Sequence, residues 1–530
     1  MTSFQTRWLI TGSLTVRTAL HIGAGETRSF DIKGQLVEVS TVVRDYKAKT
    51  DTEKNPIGKP YIPGATLKGN LRAWLQTQLK SDKKVLSLLN NVFGYGKRKD
   101  SDDQGQGGKT EFWDARIQKP LEIPTYPPPY WDEKLQTGIE VGVTIDRVMR
   151  TAREQRLFHW EIVPPDVCFE VNITGNGLSD QEVALLLFAL KAFNREQQPI
   201  TLGRETAQGK GQMVWKLEKI QKLDKENTIK WLTNKSSCLW YEAEEMEVVD
   251  ESHFFPDQQE FFKLYAAHPT LRVDLQLNFD TPFLVNEPSQ EERGEDNPNH
   301  RPRYDHKGKV VLPAKSFRGA FRSQAERIIR TLKKDKACFV DDVEKACSSI
   351  EKLEELENLC LACQLFGATG WKTPIHISDF TLVGQQKKPQ LQDFVAIDRF
   401  TGGSSEGQKF NAEMVYAPTL KGFLEIDLHR IEPWGLGLLA LVIRDLIQGD
   451  ITFGFGAAKG YGHCTVKDLP KWSLNTLPRK ESWKDWIELA KNNNLDVEVP
   501  QQWQDGETVR YLLNELVKAF QEEAKKNAKK

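Results

Sequence analysis

Long apolar runs are missing from this 530-residue chain. The greasiest stretches, residues 183–190 and 436–443, are too short to cross a bilayer and read as buried helices, so no membrane partner is expected. A secretory core is missing too, since residues 1–12 hold only the apolar run Trp8-Leu-Ile10. There is no excess of either charge: 73 basic side chains face 74 acidic ones, for a net charge of −1. That excludes a uniformly basic nucleic-acid coat, because counterion release needs many cations on one face, and any such face must be local. Cysteine is sparse, at seven, and the expected compartment is the cytoplasm, where thiols stay reduced. The chain as a whole, 39% hydrophobic and 28% charged, is too apolar for general disorder.

What is present is present twice. Tyr61-Ile-Pro-Gly-Ala-Thr-Leu-Lys-Gly69 returns 250 residues later as Val311-Leu-Pro-Ala-Lys-Ser-Phe-Arg-Gly319, each opening a helical pattern. Ile145-Asp-Arg147 returns as Ile397-Asp-Arg399, and Gly203 with Gly209-Lys-Gly211 returns as Gly454 with Gly460-Tyr-Gly462. Three motifs in one order at nearly one spacing indicate a duplicated domain. The expected boundaries are 1–220 and 270–470 for the two copies, 221–269 for a linker that packs on its neighbours, and 471–530 for a helical C-terminal tail. Within each copy the pattern reads strand, long loop, helix, strands, apolar helix and closing strand pair. This predicts an α+β fold, two tandem ferredoxin-like split-βαβ cores with long insertions.

Several residues in the repeats have the chemistry to hold a nucleic-acid backbone. The Gly-rich loops, 201–211 and 452–462, let a main chain approach a phosphate, with Arg204, Lys210 or Lys459 adding charge. A hairpin connection needing positive φ would look the same. Lys68 and Arg72, and again Arg318 and Arg322, sit where a helix starts and could draw phosphate to its N-terminus, or simply be solvated. The Ile-Asp-Arg segments precede an arginine-rich stretch in the first copy, with Arg147, Arg150, Arg153 and Arg156, and a nearly neutral one after Arg399 in the second. Arginines spaced along an exposed segment suit an irregular single strand.

The order of these motifs resembles the RAMP superfamily of CRISPR backbone subunits, closest to the type III ones and here fused in tandem, as in a type III-D-like effector. The resemblance implies RRM-like domains in an antiviral ribonucleoprotein, wrapping guide RNA (crRNA), inserting a hairpin thumb every few nucleotides, and cutting complementary target RNA beside each thumb. The Ile-Asp-Arg segments would begin the thumbs. Guide RNA, target RNA and other type III effector subunits are the implied partners.

In that family the cut depends on an acidic residue in the loop after the first strand. Here the resemblance points to Asp31, with Glu38 in reserve, and in the second copy to Asp296, with Glu295 in reserve. Such a carboxylate could hold Mg or another divalent cation, or orient a 2′-hydroxyl for in-line attack on its own phosphodiester, giving a cyclic phosphate. The alternatives are a scaffold without cleavage activity, or a metal-independent guide-processing nuclease using His21 as general base.

Cysteine supplies a separate expectation. Phe93-Gly94 matches Phe366-Gly367, which gives the second copy about 23 extra residues just before that point. The enlarged stretch holds Cys338, Cys347, Cys360 and Cys363, four of the seven. The Cys360-Leu-Ala-Cys363 knuckle with two thiols upstream predicts a closed tetrahedral zinc site of structural role.

Overall fold

A computed structural model describes residues 5–526 except 33–34, 46–57, 80–82, 97–103, 123, 125–126, 147–150, 235–238, 256–267, 288–297, 340–345, 467, 469, 479, 493–500 and 504–505. The chain divides into two compact units, one comprising 1–140, 159–206 and 210–267, the other 141–158, 207–209 and 268–530.

In the first unit the strand Arg7–Val16 is central. It runs antiparallel to Cys168–Asn176, with Leu9 opposite Thr174, and to Met213–Leu223, with Leu14 opposite Trp215. Ala115–Lys119 and then Tyr61–Ile62 continue the sheet beyond the first neighbour, and Glu247–Val248 beyond the second. In the second unit Thr270–Phe279 takes the central place, between Thr419–Asp427 on one side and Cys464–Val466 and Lys471–Leu474 on the other. Phe380–Leu382 and then Val311–Leu312 extend it. The same order of equivalent strands in both units is the structural form of the repeat.

Alternation explains the second central strand directly: Leu271, Val273, Leu275, Leu277 and Phe279 are buried while the residues between them are part-exposed, a period of two with one face on the core. In each unit a helix covers the core face of its own central strand. Gly64–Gln78 buries Leu67, Leu71 and Leu75, and Ala314–Leu332 buries Phe317, Phe321 and Ala325 at the matching turns. Phe317 stacks on Phe380 and Phe453 at centroid distances of 4.5 and 5.1 Å, and burying each such ring is worth about 2 kcal/mol. The two apolar stretches are helices, Asp180–Lys191 and Pro433–Ile447, both largely buried. The first is started by a capping box of Ser179 and Glu182. Among the described residues no helix is long and apolar enough to cross a membrane.

Residues 221–269 contain the helix Lys225–Thr233 and an aromatic group, Trp231, Trp240 and Tyr241, that packs against Leu9 and Leu223. The tail begins as the sheet strand Lys471–Leu474 and ends in the helix Gly506–Lys525, which sends Leu516, Phe520 and Ala524 into the second core. Gly437 permits this contact, because a Cβ there would lie 2.0 Å from the Leu516 carbonyl oxygen.

Candidate nucleic-acid interface and metal centre

The two Gly-rich loops are superposable in their bonding. Leu202 N donates to Gly211 O and Phe453 N to Gly462 O, both at 2.9 Å. Arg204 N donates to His21 O at 2.8 Å, and Phe455 N to Leu284 O at 2.7 Å, so Leu284 is the structural counterpart of His21. Gly203, Gly209 and Gly211, like Gly454, Gly460 and Gly462, have φ between 70° and 89°. A Cβ on Gly203 would sit 2.3 Å from His21 O, and one on Gly454 2.3 Å from Leu284 O. The glycines thus serve the close approach of two stretches of main chain as well as positive φ.

Around the first loop the polar groups are wired together. Glu161 and Arg44, each 2% exposed, form a buried ion pair. Glu161 also accepts from Thr137 Oγ1 at 2.8 Å and from Val42 N at 3.0 Å. His21 is buried, and its Nδ1 lies 2.6 Å from the Glu161 carbonyl oxygen. A carbonyl only accepts, so Nδ1 carries the proton and the neutral ring keeps its lone pair on Nε2. Burial holds the His21 pKa below the ordinary histidine value, and the nearby charges of Arg204 and Lys210 act in the same direction. Lys210 Nζ is held by Glu140 at 2.6 Å and Glu205 at 2.7 Å. Burial disfavours its charge, yet those carboxylates keep its pKa above the ordinary lysine value. Arg204 is exposed, and its guanidinium lies 5.7 Å from the Trp160 ring centroid.

The helix starts differ from a vacant phosphate site. Gly64 N donates to Asp114 Oδ1 at 2.9 Å, and Ala314 N to Asp379 Oδ1 at 2.7 Å. Each N-terminus therefore already holds a carboxylate from its own unit. Arg72 donates to the Gly94 carbonyl, and to Asn90 Oδ1 at 3.4 Å. The equivalent Arg322 donates to the Gly367 carbonyl at 3.4 Å, and Arg318 to the Phe366 carbonyl. These cations clamp the Phe-Gly turn that follows the helix; Lys68 beside them is half-buried. The sequence offered little sign of Asp114 and Asp379, which cap helices lying 50 and 65 residues earlier.

The Ile-Asp pair of both motifs stands at the end of the first strand of a hairpin. Gln390–Ile397 pairs antiparallel with Ser404–Tyr416, and Asp398 Oδ1 accepts from Phe400 N and Thr401 N, both at 2.8 Å. Those donors, Thr401 first and then Phe400, hold the Asp398 carboxyl below its usual range. Arg399 is exposed at the tip and Phe400 beside it is 99% exposed, a projecting aromatic that the motif alone did not single out. In the first copy Asp146 N donates to Thr151 O at 2.8 Å between Gly138–Ile145 and Ala152–Ile162. Arg153 is half-buried on the second of these strands. Arg147 and Arg150 lie outside the described residues, as does the side chain of Arg156. Lys459 is exposed over an aromatic group, 5.9, 5.3 and 5.0 Å from the ring centroids of Phe394, Phe410 and Phe455.

The segment carrying Asp31 and Glu38 is a β-hairpin rather than a loop, Gly23–Ile32 against Gln35–Val42. Asp31 is opposite Leu36 and Ser29 opposite Glu38, so period-two geometry puts both carboxylate residues on one face. That face is exposed, with Leu36 at 78%, whereas Val39 on the other is buried. Asp296 and Glu295 lie outside the described residues.

Cys338, Cys347, Cys360 and Cys363 converge in the second unit, with all four Sγ atoms within 4.8 Å of one another. Cys363 N points to Cys360 Sγ at 3.4 Å, Cys360 N to Cys347 Sγ at 3.2 Å, and Cys338 Sγ is 3.5 Å from Cys363 Sγ. Hydrogen bonds from Cys347, Cys360 and Cys363 pull the Cys338 thiol far below its usual range. Such a group could hold a metal such as zinc.

Two equivalent α/β copies along the chain, each with a Gly-rich loop, a clamped Phe-Gly turn and a hairpin at an Ile-Asp-Arg motif, define a duplicated protein of one ancestral domain. The RAMP superfamily pattern matches it twice, over residues 13–214 and 276–465, and the chain belongs to that superfamily. A search of the curated proteins finds no match.

Proposed function

We propose that this chain is a tandem backbone subunit of a cytoplasmic, type III-D-like CRISPR effector. Each copy, 1–220 and 270–470, is a ferredoxin-like, RRM-like domain that holds guide RNA and presents it to complementary target RNA. The observation that carries this reading is the twofold family match with an Ile-Asp-Arg hairpin in both copies. Lys68, Arg204, Arg399 and Lys459 are the described cations proposed to meet phosphates or bases, joined by Arg147, Arg150, Arg153 and Arg156 of the arginine-rich stretch in the first copy. Arg72, Arg318, Arg322 and Lys210 are held by groups of their own unit and shape the surface that RNA meets.

Target cleavage is the proposed activity, with Asp31 first and Glu38 as its neighbour on the same hairpin face, and Asp296 or Glu295 in the second copy. A carboxylate there would hold Mg or another divalent cation near the scissile phosphate and accept the 2′-hydroxyl proton. The 2′-oxygen attacks phosphorus and the 5′-oxygen leaves with a proton from water, giving a cyclic phosphate and a 5′-hydroxyl. The four cysteines hold a structural zinc with no open position. Incubating the assembled complex with guide-matched RNA and Mg tests this. Scission lost in Asp31→Ala supports it, and scission at the wild-type rate removes Asp31 from the mechanism; a complex that never cuts is a scaffold.

A second reading uses His21, favoured by the lone pair left on its Nε2. Cleavage that persists in EDTA and disappears in His21→Gln would establish it.

A further inference from the structure

The helix Ala314–Leu332 carries Arg322, Glu326 and Arg330 at successive turns, so that all three face one side. Glu326 is fully buried; it accepts from Arg322 Nε at 2.9 Å and from Arg330 Nη2 at 3.1 Å. Two guanidiniums against one carboxylate leave a positive charge in surplus, and it is turned toward the cysteines. Arg322 Nη2 donates to Cys363 Sγ at 3.3 Å. Arg330 Nη2 donates to the Cys338 carbonyl at 2.7 Å, and its guanidinium lies 4.3 Å from the Phe339 ring centroid.

Four thiolates around one divalent cation keep two negative charges, which are costly to bury without donors. The duplication provides an internal comparison. Arg72, the first-copy equivalent of Arg322, clamps the same turn, but the place of Glu326 is taken there by the neutral, exposed Gln76. Among the described residues the first copy has no cluster of thiols to serve, the four grouped cysteines lying in the second. The carboxylate thus accompanies the cysteines, and the arginine clamp does not.

We propose that Arg322, Glu326 and Arg330 form a positioning relay for the metal centre. Arg322 stabilises the Cys363 thiolate, Arg330 fixes the main chain at Cys338, and Glu326 locks both guanidiniums in place. Metal affinity is thereby tied to the helix that also clamps the Phe366-Gly367 turn. This rests on the reading of the cysteines as a metal site.

The test is competition of the zinc-loaded full-length chain against a chromophoric chelator, with wild type, Arg322→Gln, Arg330→Gln and Arg72→Gln. Outer-shell losses typically weaken metal binding about 10- to 100-fold, and that range is expected for Arg322→Gln and Arg330→Gln. Arg72→Gln breaks the matching clamp in the first copy and is expected to keep wild-type affinity. In the cobalt-substituted protein, Arg322→Gln should also shift the thiolate-to-cobalt charge-transfer band, which a general loss of stability would not do. Wild-type affinity in both Arg322→Gln and Arg330→Gln overturns the relay; if one fails to fold, the other decides. A wild-type chain that binds no zinc overturns the metal site itself.

Discussion

Lys210 Nζ and Glu140 Oε2 lie 2.6 Å apart in a nearly buried ion pair beneath the first Gly-rich loop. In the second copy the equivalent positions are Tyr461 and Gln392, and Tyr461 Oη donates to Gln392 Oε1 at 2.9 Å. The bond is kept and its charge removed. The first loop remains a polar environment around His21 and Arg204, while the second has Leu284 and Phe455 at the corresponding places. Duplication preserved the scaffold and let the chemistry above it diverge.

Removing one partner of the buried pair leaves an uncompensated charge. Lys210→Met is expected to destabilise the protein by about 3 kcal/mol. Glu140→Gln with Lys210→Tyr, which installs the second copy's bond, should be markedly less destabilised. Urea unfolding of the three proteins checks both, and equal loss in the single and double variants would contradict the equivalence.

Arg72 and Arg322 satisfy the carbonyls of two glycines at positive φ, Gly94 and Gly367. Replacing either arginine with alanine strands a part-buried carbonyl and is expected to cost about 1–3 kcal/mol. Thermal unfolding should show the loss for each variant separately, and near additivity in the double variant.

The pKa of His21 is lower in the folded protein than in the unfolded chain. The unfolded chain therefore binds the extra proton first, and stability falls as pH drops through the unfolded value of about 6.5. Wild type should lose stability between pH 7.5 and 5 more steeply than His21→Gln, whose amide can still donate to the Glu161 carbonyl. Parallel melting curves across that range would show that His21 contributes nothing to the pH response.

Chelation should strip metal from the cysteine group and release four reactive thiols, with a fall in melting temperature reversed by zinc. Cys360→Ser is expected to bind zinc far more weakly and to melt near the stripped wild type. A thiol assay with and without chelator, followed by a melt, reads both quantities.

The repeat, the Gly-rich loops, the two apolar helices and the four cysteines were legible in the sequence because each depends on local spacing. The hairpins at Asp146 and Asp398 were implied by the resemblance of the ordered motifs to the RAMP superfamily. The destinations of charged side chains were not legible. Nothing near Lys210 in sequence announces Glu140, and nothing near Gly64 announces Asp114, since both partners arrive from segments far away along the chain. Asp31 and Glu38 read as loop residues because local spacing does not announce a strand pairing, and only the pairing itself revealed the hairpin.

Order, composition and periodicity by themselves determined that one domain occurs twice, that two apolar segments are buried helices, and that a thiol cluster was inserted into only one copy. Tertiary structure alone decided which cations remain exposed and which are neutralised within the fold. The physical reason is that core burial follows a short-range pattern of apolar residues, whereas the fate of a charge depends on which opposite charge the folded chain brings within a few ångströms.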